Sequence, residues 1–65
     1  MIQVTKKVFE GIETVRKSGA TNMLDAPSVI HYAKRLGCPA AANWIIEHRS
    51  EYARGVFEGF EIVSG

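Results

Sequence analysis

The segment Arg16-Lys17-Ser18-Gly19-Ala20-Thr21-Asn22-Met23-Leu24-Asp25 interrupts two amphipathic helical patterns, and its reading decides the fold. Ahead of it, Val8, Phe9, Ile12 and Val15 fall at i, i+1, i+4 and i+7, one face of a helix from Thr5 to Ser18. Thr5 suits the N-cap, and the Lys6–Glu10 and Glu13–Lys17 spacings place opposite charges one turn apart. Arg16 and Lys17 sit in the last turn, where the helix dipole favours cations, and Gly19 suits the left-handed stop. Thr21 and Asn22 favour a turn because their short polar side chains bond nearby backbone. Met23 and Leu24 are apolar loop residues, expected to plug the core rather than await a partner. Asp25 then caps a second helix, with Pro27 in its first turn.

Val29, Ile30, Ala33 and Leu36 form the expected inner face of that second helix, and Gly37 closes it. Pro39 opens a third helical stretch, with Ala42, Ile45 and Ile46 as a buried stripe bordered by Trp44. This stretch either continues through Ser50 or breaks there to form a fourth helix. The shared face of Ile45, Tyr52 and Val56 favours a long or slightly kinked helix. Ile2–Val4 and Phe60-Glu61-Ile62-Val63 alternate like strands and suit a short ribbon, within one chain or between two. Ser64 and Gly65 read as a frayed tail. Residues 1–65 are thus expected to form one all-α domain, a small bundle of three main helices with the third long or split. A short terminal β-ribbon is the expected accessory.

A chain of 65 residues buries a modest fraction of its surface, and one cysteine, Cys38, excludes an internal disulfide. No Cys/His spacing suits zinc, so self-association is the support expected: a homodimer or a higher oligomer. The formal charge of +1 argues against strong non-specific nucleic-acid binding. The first residues lack the long apolar run of a signal peptide, and no stretch approaches the ~20 apolar residues of a membrane helix. A lone cysteine without a targeting segment points to the cytoplasm.

The motifs argue against catalysis. His48 and Tyr52 lie four apart beside Glu47 and Glu51, yet no nucleophile or oxyanion donor accompanies them. His31 and His48 lack a carboxylate pattern for a metal, and Cys38 reads as a small buried hydrophobe. Gly19-Ala20-Thr21-Asn22 lacks the phosphate-loop spacing, although it precedes a helix N-terminus where anions are favoured. Ala33 and Gly37 keep the spacing of a helix-turn-helix. However, Ala40, Ala41, Ala42 and Asn43 make a poor base-reading surface at the start of the next helix.

Three features together, VRKSGATNMLD, then WIIEHRSEY, then an aromatic and a Gly before a short tail, resemble the domain-of-unknown-function family numbered 5049. That family is found largely in phages and prophages of Gram-positive bacteria. The likeness spans roughly Val8 to Gly59. The family's Arg, Ser-Gly and Thr-Asn-Met-aromatic-Asp pattern falls on Arg16, Ser18, Gly19, Thr21, Asn22, Met23, Leu24 and Asp25. Its later elements fall on Glu47, His48, Glu51 and Tyr52. The departures are Leu24, where an aromatic is commoner, and the longer GFEIVSG tail.

The resemblance implies a phage-encoded accessory protein that works by binding. Such a protein would inhibit a bacterial anti-phage defence component, through protein contact or by sequestering a small anionic nucleotide. The alternative is a small helix-turn-helix-like DNA-binding regulator. Arg16, Thr21, Asn22 and Asp25, backed by His48 and Tyr52, are the expected contact or loop-ordering set. Asp25 is expected as a cap, and Arg16 is expected to pair with Glu47 or Glu51. No enzyme activity, cofactor, metal or membrane association is expected.

Overall fold

Thr5 starts the first helix by accepting the Val8 N–H on its hydroxyl, and α1 runs Lys6–Ser18 before closing on Gly19. A computed structural model describes residues 1–63; the expected tail at 64–65 lies outside them. Four helices follow one another: α1, α2 (Ala26–Arg35), α3 (Pro39–Glu47) and α4 (Arg49–Glu58). They are bracketed by two short strands, β1 (Ile2–Val4) and β2 (Phe60–Ile62). The strands pair parallel within the one chain, in the register Ile2↔Phe60, Gln3↔Glu61 and Val4↔Ile62.

Asp25 caps α2 as expected, and its last turn closes through two bonds. Gly37, at φ +78°, donates its N–H to the Lys34 carbonyl, and the Cys38 N–H reaches back to the Ala33 carbonyl at 2.8 Å. This is the Schellman arrangement, which turns the chain tightly and lets Pro39 begin α3 at once.

The third stretch takes the split form, giving four helices among the described residues rather than the long or kinked helix favoured above, and the break falls at His48 rather than Ser50. His48 leaves the helical region at φ −133°, ψ 51°. Its own N–H and its ring Nδ1 both approach the Trp44 carbonyl at 2.9 Å, while the imidazole stacks on the Trp44 ring. The side chain thus supplies a local partner for the end of α3, and the His48 carbonyl accepts the first bond of α4 from the Tyr52 N–H. Ile46, expected in the buried stripe, is 49% exposed, because α3 turns Ala41, Ala42 and Ile45 to the core. Leu36, expected on the inner face, lies just past the last turn of α2 and is likewise exposed.

The core joins Ile2 and Val4 of β1, Val8, Ile12 and Val15 of α1, Val29 and Ala33 of α2, Ala41, Ala42 and Ile45 of α3, and Tyr52 of α4. Alanines on α3 let α1 approach closely. A β-carbon built on Gly11 would lie 2.5 Å from that of Ala41, so the mid-helix glycine is required by packing. The accessible surface, 4104 Å², matches the ~4,100 Å² expected of a soluble monomer of this mass. Among the described residues, no helix is long and apolar enough to cross a membrane.

Candidate functional site

The loop between α1 and α2 lies on the surface and holds itself through several of its own polar groups. Ser18 donates its hydroxyl to the Val15 carbonyl and accepts the Ala20 N–H, which binds the loop's first residues to the end of α1. The Asn22 side-chain oxygen accepts the Leu24 N–H at 2.8 Å, and the Asn22 carbonyl accepts the Asp25 N–H at 3.0 Å. These bonds make residues 22–25 a closed turn of the kind that short amide side chains favour. Asp25 uses both carboxylate oxygens on Ser28, one on its N–H and one on its hydroxyl at 2.8 Å. Thr21 is half-buried and makes no side-chain hydrogen bond among the described residues.

Tyr52 ties this loop to the rest of the molecule. It is 1% exposed, and its hydroxyl donates to the Met23 carbonyl at 2.6 Å, across 29 residues of sequence. Burial pushes the phenol pKa up to about 12, because the phenolate would have to be desolvated. Tyr52 thus orders the loop from within. Met23 packs against the core as the expected plug, whereas Leu24 stays exposed, which corrects half of that expectation.

Arg16 pairs with Glu13 on its own helix, not with Glu47 or Glu51. Nε lies 3.1 Å and one terminal nitrogen 2.5 Å from the two carboxylate oxygens. That hydrogen bond holds the Glu13 carboxyl below its ordinary pKa and raises that of the guanidinium. The correction follows from reach: Glu13 is the i,i+3 neighbour on the same helix, and among the described residues no carboxylate of α3 or α4 lies within ion-pair distance of Arg16. His48 is half-buried against Trp44. Its contact with a carbonyl requires the proton on Nδ1 and leaves Nε2 as the free ring nitrogen. The six expected residues thus separate into a loop group, with Tyr52 as its internal anchor, and a junction residue, His48, engaged by Trp44.

Beside the loop lies an open groove of about 360 Å³ that individual residues did not announce. Phe9, Ile12, Met23, Val56 and Phe60 line it, and the exposed Glu13–Arg16 pair borders it. Its size falls at the lower end of small-ligand pockets, and its lining is mainly apolar. The contributing residues come from Met1 ahead of β1, from α1, the loop, α4 and the start of β2, so only the closed fold assembles them. The sequence signal was faint: Phe9 at the edge of a helical stripe, one apolar loop residue and one aromatic after a glycine.

No curated protein and no solved structure matches the chain. A family model does, over residues 4–59, nearly the whole of the described fold: Domain of unknown function (DUF5049). The match takes in the Arg16–Asp25 loop, its Tyr52 anchor and all four helices, so the chain belongs to the DUF5049 family.

Proposed function

We propose that this protein acts by binding rather than by turnover, as a phage-encoded accessory inhibitor of a bacterial defence component in the host cytoplasm. The apolar groove next to Arg16 is its contact surface, and self-association is its working state. One observation carries the reading: Phe9, Met23, Val56 and Phe60 converge beside the one exposed cation of the expected contact set. Such a lining favours an apolar side chain of a partner protein, with Arg16 fixing polarity at the edge, over an anionic nucleotide. The polar groups of the loop support a positioning role, since Asn22, Asp25 and Tyr52 are engaged in holding the turn.

The test is capture of host protein by the full chain, compared with Val56→Glu and Lys34→Glu. Val56→Glu introduces a charge into the groove, while Lys34 is exposed on α2. Loss with the first and retention with the second, with both variants folded by circular dichroism, is the expected result. Equal capture by both variants refutes the groove. The rival reading as a DNA-binding regulator draws on the tight α2–α3 turn at Gly37. Against it, Ala41 and Ala42 face the core, leaving little at the start of α3 to read bases. A shift in duplex mobility with a steep salt dependence would favour that rival.

A further inference from the structure

Sulfur is the one reactive element in the apolar lining of the groove. The chain has two methionines, and both Met1 and Met23 line the groove beside Arg16. The remaining sulfur, on Cys38, lies in a separate concavity with Lys7, Glu10 and Gly37. Met23 is half-buried: it packs against the core and also forms part of the groove wall. A thioether on an open groove is within reach of small oxidants, unlike one sealed in a core. The backbone holds that side chain in place. The Tyr52 hydroxyl fixes the Met23 carbonyl at 2.6 Å, and the Asn22 turn closes around the same residue. A change of polarity at the Met23 side chain is therefore felt in the groove rather than relieved by movement of the loop.

We propose that Met23 is an oxidation site whose sulfoxide switches the groove off. This deepens the groove reading above by naming its regulation. The oxidant class is a hydroperoxide. A sulfur lone pair attacks one peroxide oxygen, and the S–O bond forms as the O–O bond breaks. Sulfur is oxidised by two electrons, and hydrogen peroxide's second oxygen leaves as water with both protons. The product is a polar side chain with a strong acceptor in place of a flexible apolar one. An apolar occupant seated on this wall would cut the sulfoxide off from water, which disfavours binding. Sulfoxide reductases return the thioether, so the modification is reversible. Met1, 67% exposed on the same groove, is the internal reference for the rate of oxidation.

The test uses the full chain with Cys38→Ala in every arm, so that methionine is the only sulfur. The folded chain is treated with graded hydrogen peroxide and mapped by peptide mass spectrometry. Met23 should take up its oxygen within about tenfold of the rate at Met1. Anilinonaphthalene sulfonate serves as the probe of the groove, its binding read at the Ile12 and Val56 methyl resonances. Oxidation should weaken that binding by about tenfold, and treatment with a methionine sulfoxide reductase should restore it. Met23→Leu, in which only Met1 oxidises, should bind equally before and after peroxide. Met23→Gln, a polar side chain of similar length, should bind weakly without any peroxide. A Met23 that stays reduced while Met1 oxidises overturns the proposal. So do groove methyls that ignore the probe in the reduced chain, unchanged binding after oxidation, a Met23→Leu chain that loses binding with peroxide, and loss of helical circular dichroism on oxidation. Failure to capture host protein, with the probe results as expected, refutes the partner reading and leaves the switch standing.

Discussion

Replacing Tyr52 by phenylalanine removes one oxygen atom and tests how the loop is held. The ring stays in the core, so the change isolates the 2.6 Å bond to the Met23 carbonyl. At neutral pH the loss should be the net value of one hydrogen bond, about 0.5–1.5 kcal/mol. For a domain of this size each kcal/mol lowers the melting temperature by roughly 4–8 °C. At alkaline pH the sign reverses. Burial raises the folded phenol's pKa to about 12, above the ordinary tyrosine value of about 10, so the unfolded chain releases its proton first. The stability due to Tyr52 is therefore complete below about pH 10 and is lost as pH rises through 12, a fall of about 2–3 kcal/mol. The phenylalanine variant has no such term. Urea midpoints measured from pH 7 to 12 should show the wild type more stable at neutrality and the variant more stable near pH 12. Comparing the two chains cancels the titration of the lysines they share. Making both measurements in a Tyr32→Phe background leaves Tyr52 as the sole phenol of the wild-type arm. A stability difference that does not vary with pH would refute the buried-latch account.

Three further outcomes follow from the packing and the caps. Gly11→Ala should destabilise despite its better helix propensity, because the new β-carbon lies 2.5 Å from Ala41; about 1–2 kcal/mol by thermal melts is expected, with partial recovery in Gly11→Ala/Ala41→Gly. Asp25→Ala should cost about 1 kcal/mol in chemical denaturation by freeing the Ser28 N–H, and Asp25→Asn should recover most of it. Gly55→Ala places a β-carbon 2.2 Å from the Phe60 ring, which must swing away from Trp44 and out of the groove; a red shift of the single tryptophan's emission should accompany weaker partner capture.

Local rules made most of the helical fold legible. The Thr5 and Asp25 caps, the Gly37 stop and the Val8–Ile12–Val15 stripe all depend on neighbours within a few residues, and all appear in the structure. The split at His48 was less visible, because it depends on an imidazole stacking back on Trp44 and approaching its carbonyl. Helical periodicity passes through that junction almost unbroken, since His48 still joins the bonding of both helices. The role of Tyr52 was hidden for a different reason. Its place on the Ile45–Tyr52–Val56 face suggested burial, but the hydroxyl's partner lies 29 residues away, beyond any local pattern. The groove shares that difficulty, since its apolar residues come from five separate segments.

A buried tyrosine holding a surface loop changes what binding there involves. A free loop of this length would lose roughly 1–2 kcal/mol per residue of backbone entropy on being fixed against a partner. Here the Asn22 turn, the Asp25 cap and the Tyr52 bond have already fixed residues 22–25 in the unbound chain. Met23 contributes to the latch through its carbonyl and to the groove through its side chain, so the same residue connects loop order to the contact surface. Breaking the latch with Tyr52→Phe should therefore weaken partner capture even though Tyr52 itself is buried. Under the same conditions Phe57→Ser, at a side chain 78% exposed and outside the groove lining, should leave both stability and capture unchanged. If the Tyr52 variant melts earlier yet captures partner as well as the wild type, the loop only closes the fold, and recognition belongs to the rest of the groove.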